Sequence, residues 1–191
     1  MKTTAPIQYT TIGRMIKKFL HTQLGARIGY TLGISGFNRI EVEVRDANGN
    51  LKSLIPSFNS RVNKGGDLAA SLLAGTSFNS IASPLPPKYI ALSTSTLTPA
   101  AGDTTLTGET SASGLARALG TQGSYTTPSV LDGACSYTVT KTFTSGATAT
   151  INSVALFDAS SSGNMFVEAN LSASASLVSG DQLTINWTVN L

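Results

Sequence analysis

The sequence predicts a mainly β protein: an antiparallel sandwich or jelly-roll-like barrel with two short helices and an N-terminal β-hairpin. Three observations lead there. The chain from Tyr137 to Leu191 reads as successive strands rich in Thr, Val, Ile, Phe, Tyr and Trp, each bounded by Gly, Ser, Asn or Asp. These runs alternate with a period of two. Asn48-Gly49 lies between two further alternating runs, which is the strongest short-range hairpin signal a sequence offers.

The C-terminal strands are the clearest. In YTVTKTF, residues Tyr137, Val139, Lys141 and Phe143 share one face and threonines the other. TATINSVALF (148–157) and NMFVEANL (164–171) follow, with DASSSGN and LVSGD expected as hairpin links. In the closing run Leu183, Ile185, Trp187, Val189 and Leu191 alternate with Thr184, Asn186, Thr188 and Asn190. The expected core includes Leu156, Phe157, Phe166, Val167, Leu183, Ile185, Trp187 and Val189. Neighbours in a regular strand cannot both face inward, so one of Leu156 and Phe157, and one of Phe166 and Val167, is expected at an interface.

Earlier in the chain the signals are mixed. Residues 1–12 are polar and read as an arm or an edge strand. From Ile12 to Leu24 the spacing of Ile12, Met15, Ile16, Phe19 and Leu20 predicts an amphipathic helix, with Arg14, Lys17, Lys18 and His21 on the other face. Ile40, Val42 and Val44 alternate with Glu41, Glu43 and Arg45, and Lys52 is expected across from the two glutamates. Leu68, Leu72 and Leu73 predict a short helix over about 66–74, ended by Gly75. Pro84, Pro86 and Pro87 mark an extended connection into a strand at 88–93. Residues 94–134 read as a long polar insertion with little to bury, containing a turn or outward strand around Arg117. Two regions follow: an N-terminal arm, 1–60, with the basic helix and the hairpin, and a β-rich core, 61–191.

Composition narrows the function. Charged residues make up 12% of the chain, about half the usual share, which suits a subunit whose faces are covered by neighbours. Residues 1–64 hold ten basic and three acidic residues, and 65–191 hold three basic and seven acidic, so the two parts can attract one another within or between subunits. No run of apolar residues is long enough to span a membrane as a helix, and no secretory leader is read at the N-terminus. Cys135 is alone, so no disulfide forms within one chain.

Sites for chemistry are sparse. His21 is the sole histidine, on the basic helix, with no G-x-S-x-G to supply a nucleophile elbow. NKGG at 63–66 lacks the spacing of a phosphate loop. Asp103 and Glu109 could only be glycosidase acids if the fold brought them together, and Asp103, Asp132, Asp158 and Asp181 are the loop carboxylates open to calcium. Neither pattern is specific. No catalytic residue, metal site or cofactor is expected.

One resemblance bears on function. RVNKGGDLAASLLAG, PPKYIALSTSTLTPAAGDTTLTGE, LARAL and the run from Tyr137 to Leu191 together resemble structural proteins of tailed-bacteriophage virions, over residues 61–191. The carriers are Gly65-Gly66, Tyr89–Leu92, Asp103–Glu109 and Gly146–Phe157; YIALSTS here stands where members have YIALGTG. The resemblance implies a non-enzymatic virion subunit assembled in the host cytoplasm. It implies a homo-oligomer, with a trimer by analogy to threefold shell sites, bound to the major capsid protein or other virion proteins. Neither membrane nor specific nucleic acid is implied. A capsid decoration or minor head role is expected first. The alternatives are a tail tube or tail-tip protein, and a host- or carbohydrate-binding module using Tyr125, Tyr137 and Phe143. The expected assembly-interface residues are Arg14, Lys17, Lys18, Phe19, Arg27, Arg117, Phe157 and Phe166.

Overall fold

The computed structural model describes residues 37–76, 81, 84–126 and 135–190. The expected helix at 12–24, and with it Arg14, Lys17, Lys18, Phe19, His21 and Arg27, lies outside the described residues. Within them the chain is mainly β: two antiparallel sheets and one short helix, with neither sheet closed into a barrel.

The strands are β1 (Phe37–Arg45), β2 (Leu51–Ser60), β3 (Tyr89–Ser93), β4 (Ala118–Leu119), β5 (Thr121–Thr126), β6 (Ser136–Thr144), β7 (Ala149–Phe157), β8 (Met165–Leu177) and β9 (Gln182–Asn190); the helix α1 is Asn63–Ala74. One sheet runs β2-β1-β9-β6-β5 and the other β4-β3-β7-β8. The expected hairpin is present, and it is part of the first sheet: β1 pairs with β2 on one side and with β9 on the other. Its turn differs in detail from the one expected. Gly49 alone takes a positive φ (85°), while Asp46 organises the loop by accepting from the Asn48 and Asn50 backbone N–H groups. Lys52 does not face the glutamates. It pairs with Asp181, and Glu41 and Glu43 are taken by Arg39 and Arg45 on the same strand.

The core lies between the sheets. Leu183, Ile185, Trp187 and Val189 of the central strand β9 are fully buried beside Ile40, Val42 and Val139, facing Ile90, Leu92, Ile151, Val154 and Leu156 of the other sheet. The alternation of β9 therefore survives intact into the fold. The sheets meet at two sides. At one, Ser172 donates from its N–H to Ser57 Oγ (2.9 Å) and from its hydroxyl to Pro56 O (2.7 Å), and Asn59 Nδ2 donates to Glu168 O (2.8 Å). At the other, the chain passes from β4 through Gly120 into β5, with the Gly120 N–H on Lys88 O.

Several local expectations change. DASSSGN does link the hairpin β7–β8, closed by Asp158, whose carboxylate accepts from Asn164 N and Nδ2. LVSGD is instead a crossover from β8 in one sheet to β9 in the other. TQGSYT, expected as polar loop, is strand β5, paired to β6. The helix begins three residues earlier than expected, and Gly65 is inside it. Any Cβ there would sit 1.9 Å from Phe166 O, so glycine lets α1 lie directly on the β8 backbone.

The paired-neighbour argument fails for a physical reason. Leu156, Phe157, Phe166 and Val167 are all buried. The register of β7 against β8 shifts between Leu156 and Phe157, so Val167 and Met165 pair with consecutive residues and Phe166 is extra. Such a bulge lets Phe166 and Val167 both join the main core. Phe157 points the other way, but that outer face is covered too: it packs with Ala91, Ala155, Met165, Val62 and Leu106 in a second, smaller cluster.

Candidate interaction surface

The cover over Phe157 is the insertion after β3. Leu106 is buried there and Leu97 packs against the same cluster. The segment is held by side-chain to backbone bonds. Ser93 Oγ donates to Thr107 O (2.5 Å), Asn170 both accepts from Leu97 N (2.8 Å) and donates to Leu97 O (3.0 Å), and Thr110 Oγ1 donates to Leu115 O (2.5 Å). A bridge joins Ser93 to Glu109. Arg117 then closes the structure. Its Nε and Nη2 donate to the two oxygens of Glu109 at 2.8 and 2.7 Å, and its guanidinium carbon lies 3.5 Å from the Phe157 ring centroid. Far from outward, the Arg117 side chain is 10% exposed.

These contacts place three of the expected interface residues. Arg117, Phe157 and Phe166 are each largely buried within the chain; the arginine is held by Glu109 and the two phenylalanines by the cores on either side of the sheet. Asp103 and Glu109 are not brought together as an acid pair. Glu109 is neutralised by Arg117, and Asp103 neighbours Glu168, whose carboxyl is pushed up to about 8, first by burial and then by the hydrogen bond and charge of Asp103. Of the loop carboxylates, Asp158 and Asp181 are used by Asn164 and Lys52, and Asp132 lies outside the described residues. Among the described residues no group of three or more metal-ligating side chains gathers.

An open apolar surface is found elsewhere, along β5. A groove of about 290 Å³ is lined by Leu72 and Leu73 of α1, Pro86 and Pro87 of the connection, and Tyr125 and Tyr137 of β5 and β6, with Phe166 beneath. The helix buries Gly65, Leu68 and Ser71 against the body and turns its other side to solvent: Leu73 is 91% exposed. Tyr125 is 58% exposed, and Leu85 beside the prolines is 53% exposed. Burial pushes the Tyr137 hydroxyl up to about 12 despite the nearby Arg61, and the Tyr125 hydroxyl is raised chiefly by its hydrogen bond with Cys135. Sequence reasoning named both tyrosines and read Leu72 and Leu73 only as marking a helix with Leu68; Phe143, named with the tyrosines, is buried. The available signal was three leucines at 68, 72 and 73, spread over more of the helix than one narrow stripe covers.

The described residues thus form a two-sheet body with an internally fastened insertion and an apolar groove, an architecture of strands and surfaces. A family model described as podophage GP4 fiber I protein gp80 matches residues 67–188. That is more than half of the chain, and the chain belongs to this family of phage virion structural proteins. No curated protein matches it in sequence.

Proposed function

We propose that the chain is a fibre subunit of a podophage tail, working by bound area and not by turnover. The observation that carries this is the family match, which runs from α1 through β3 to β9. The capsid decoration role expected first from sequence gives way here to the tail alternative, because the family is described as a fibre protein. The two sheets, stitched along both sides, form a sandwich whose stiffness suits a load-bearing appendage. The chain acts in the virion after assembly in the host cytoplasm, as a homo-oligomer, with a trimer the first form to look for, in contact with other tail proteins. The carbohydrate-binding alternative has less support, since Phe143 is buried and the polar side chains of the groove, Gln122, Tyr125 and Tyr137, stand among leucines and prolines.

Immunogold electron microscopy of purified particles tests this. Label confined to the tail fibres is expected; label spread over the head would overturn the fibre assignment and restore the decoration role.

A further inference from the structure

Among the described residues nothing covers the groove along β5, and the sequence holds a second apolar face within residues 12–24. On the body side, Leu72, Leu73 and Tyr125 gather three large exposed hydrophobic side chains around one concave site, and Pro86 and Pro87 present no N–H groups. A clustered apolar concavity is normally filled by something. On the other side, Ile12, Met15, Ile16, Phe19 and Leu20 recur at helical spacing, opposite Arg14, Lys17 and Lys18. A helix of that length is marginal in water without an apolar face to rest on. Over residues 12–20 it rises about 12 Å, a length suited to a groove bordered by one turn of α1 and one strand.

The route between them is short. Described structure begins at Phe37, which pairs with Ser60, and Asn38 Oδ1 accepts from Asn190 N (3.1 Å). Asn190 pairs with Ser136, and Tyr137 pairs with Tyr125. The N-terminal segment therefore enters the fold at the same end of the sheet that carries both groove tyrosines. From β1 to β5 is three strand steps, about 14 Å at the usual spacing. The residues between Leu24 and Phe37 span up to about 40 Å when extended, so reach does not limit docking. Tethering at such a distance gives a millimolar-range effective concentration, well above that of a free neighbouring copy at ordinary protein levels.

We propose that the groove lined by Leu72, Leu73, Pro86, Pro87, Tyr125 and Tyr137 is the docking site for the apolar face of residues 12–24 of the same chain. Phe19, the largest apolar side chain of the segment, fills the hollow over Phe166, and Ile16 and Leu20 lie on Leu72 and Leu73. The basic side stays in water. Docking hides the free edge of β5 and makes the N-terminal region a part of the body's surface.

Amide hydrogen exchange on the full chain tests this. Residues 12–24 are expected to be protected in the unaltered protein, and Leu73→Ser should speed their exchange about tenfold or more. Because Leu73 is almost wholly exposed, that change leaves the β body folded, as protection in β9 will report. Phe19→Ser should produce the same loss, and the double variant no further loss, since both break one contact. Exchange at 12–24 that is fast in the unaltered protein, or unchanged by Leu73→Ser, overturns the proposal. Protection that falls on about hundredfold dilution also overturns it, because the occupant is then a second copy or another concentration-dependent partner.

Discussion

Two regions of the molecule contrast in how their sequence reads and how they fold. The insertion from residue 94 to 117 is written in Thr, Ser, Gly and Ala and reads as something loose. It is instead fastened to the outer face of β3, β7 and β8 by Arg117, Ser93, Thr110 and Asn170. The groove beside β5 is written in Leu, Pro and Tyr, the residue types of a core, and among the described residues it stands open. The difference teaches that hydrophobicity alone does not separate inside from outside here. The insertion fastens its polar groups within the chain; the groove leaves apolar surface exposed among the described residues.

The contrast can be broken first at Phe157. Phe157→Ala removes the ring on which Arg117 rests and the centre of the outer cluster, and should cost about 3–5 kcal/mol by chemical denaturation. A cost near zero would mean the insertion is not truly packed on the sheet. Arg117→Ala is next. It strips Glu109 of both hydrogen bonds, and the expected loss is about 2–3 kcal/mol, below that of a fully buried pair because Glu109 keeps some contact with water. Faster proteolysis within 94–117 should accompany it.

A third test uses pH. The Glu168 carboxyl is raised from 4.5 to about 8 by burial and by Asp103, so it stays protonated in the folded chain where the unfolded chain has lost the proton. Below 4.5 both states hold the proton and stability is fully present; as pH rises from there towards 8 unfolding releases a proton and stability falls. The slope approaches about 1.4 kcal/mol per pH unit at most. Glu168→Gln should flatten it, measured as melting temperature against pH. An equal slope in the variant would assign the effect to other groups. The smallest effect belongs to the groove: Leu73→Ser should change the stability of the β body by no more than about 0.5 kcal/mol. A larger loss would show Leu73 to be structural in the body itself.

How much of this was legible in the sequence follows from the range of the interactions. β9 was legible because Leu183 to Val189 alternate over a sheet with one buried face, and the hairpin because Asn48-Gly49 marks its turn. The strand β5 was not, since TQGSYT sits at a sheet edge and carries no apolar alternation. The burial of both Leu156 and Phe157 was hidden because it depends on a cover supplied by residues around fifty positions upstream. Arg117 read as outward because nothing local announces that Glu109 and Phe157 will meet it. In YIALSTS, where the resemblance implies glycines, Ser93 is an anchor: its hydroxyl donates to Thr107 O and accepts from the Ser95 N–H. The groove was half legible: its tyrosines were named, while its leucines were read only as marking a helix, with no face assigned to them.

One feature of the β9 pairing sets how the body can be mounted. Because β1 and β9 run antiparallel with Arg39 opposite Thr188, the chain enters near Phe37 and leaves near Asn190 at a single pole. The opposite pole carries the turns at 46–50, 145–148 and 178–181, cross-tied by Lys52 to Asp181, Gly180 N–H to Ser145 O and Gly146 N–H to Ser113 O. A force applied at the Phe37–Asn190 pole therefore opens β1 from β9 from that end, while the braced far rim is the last part to feel it.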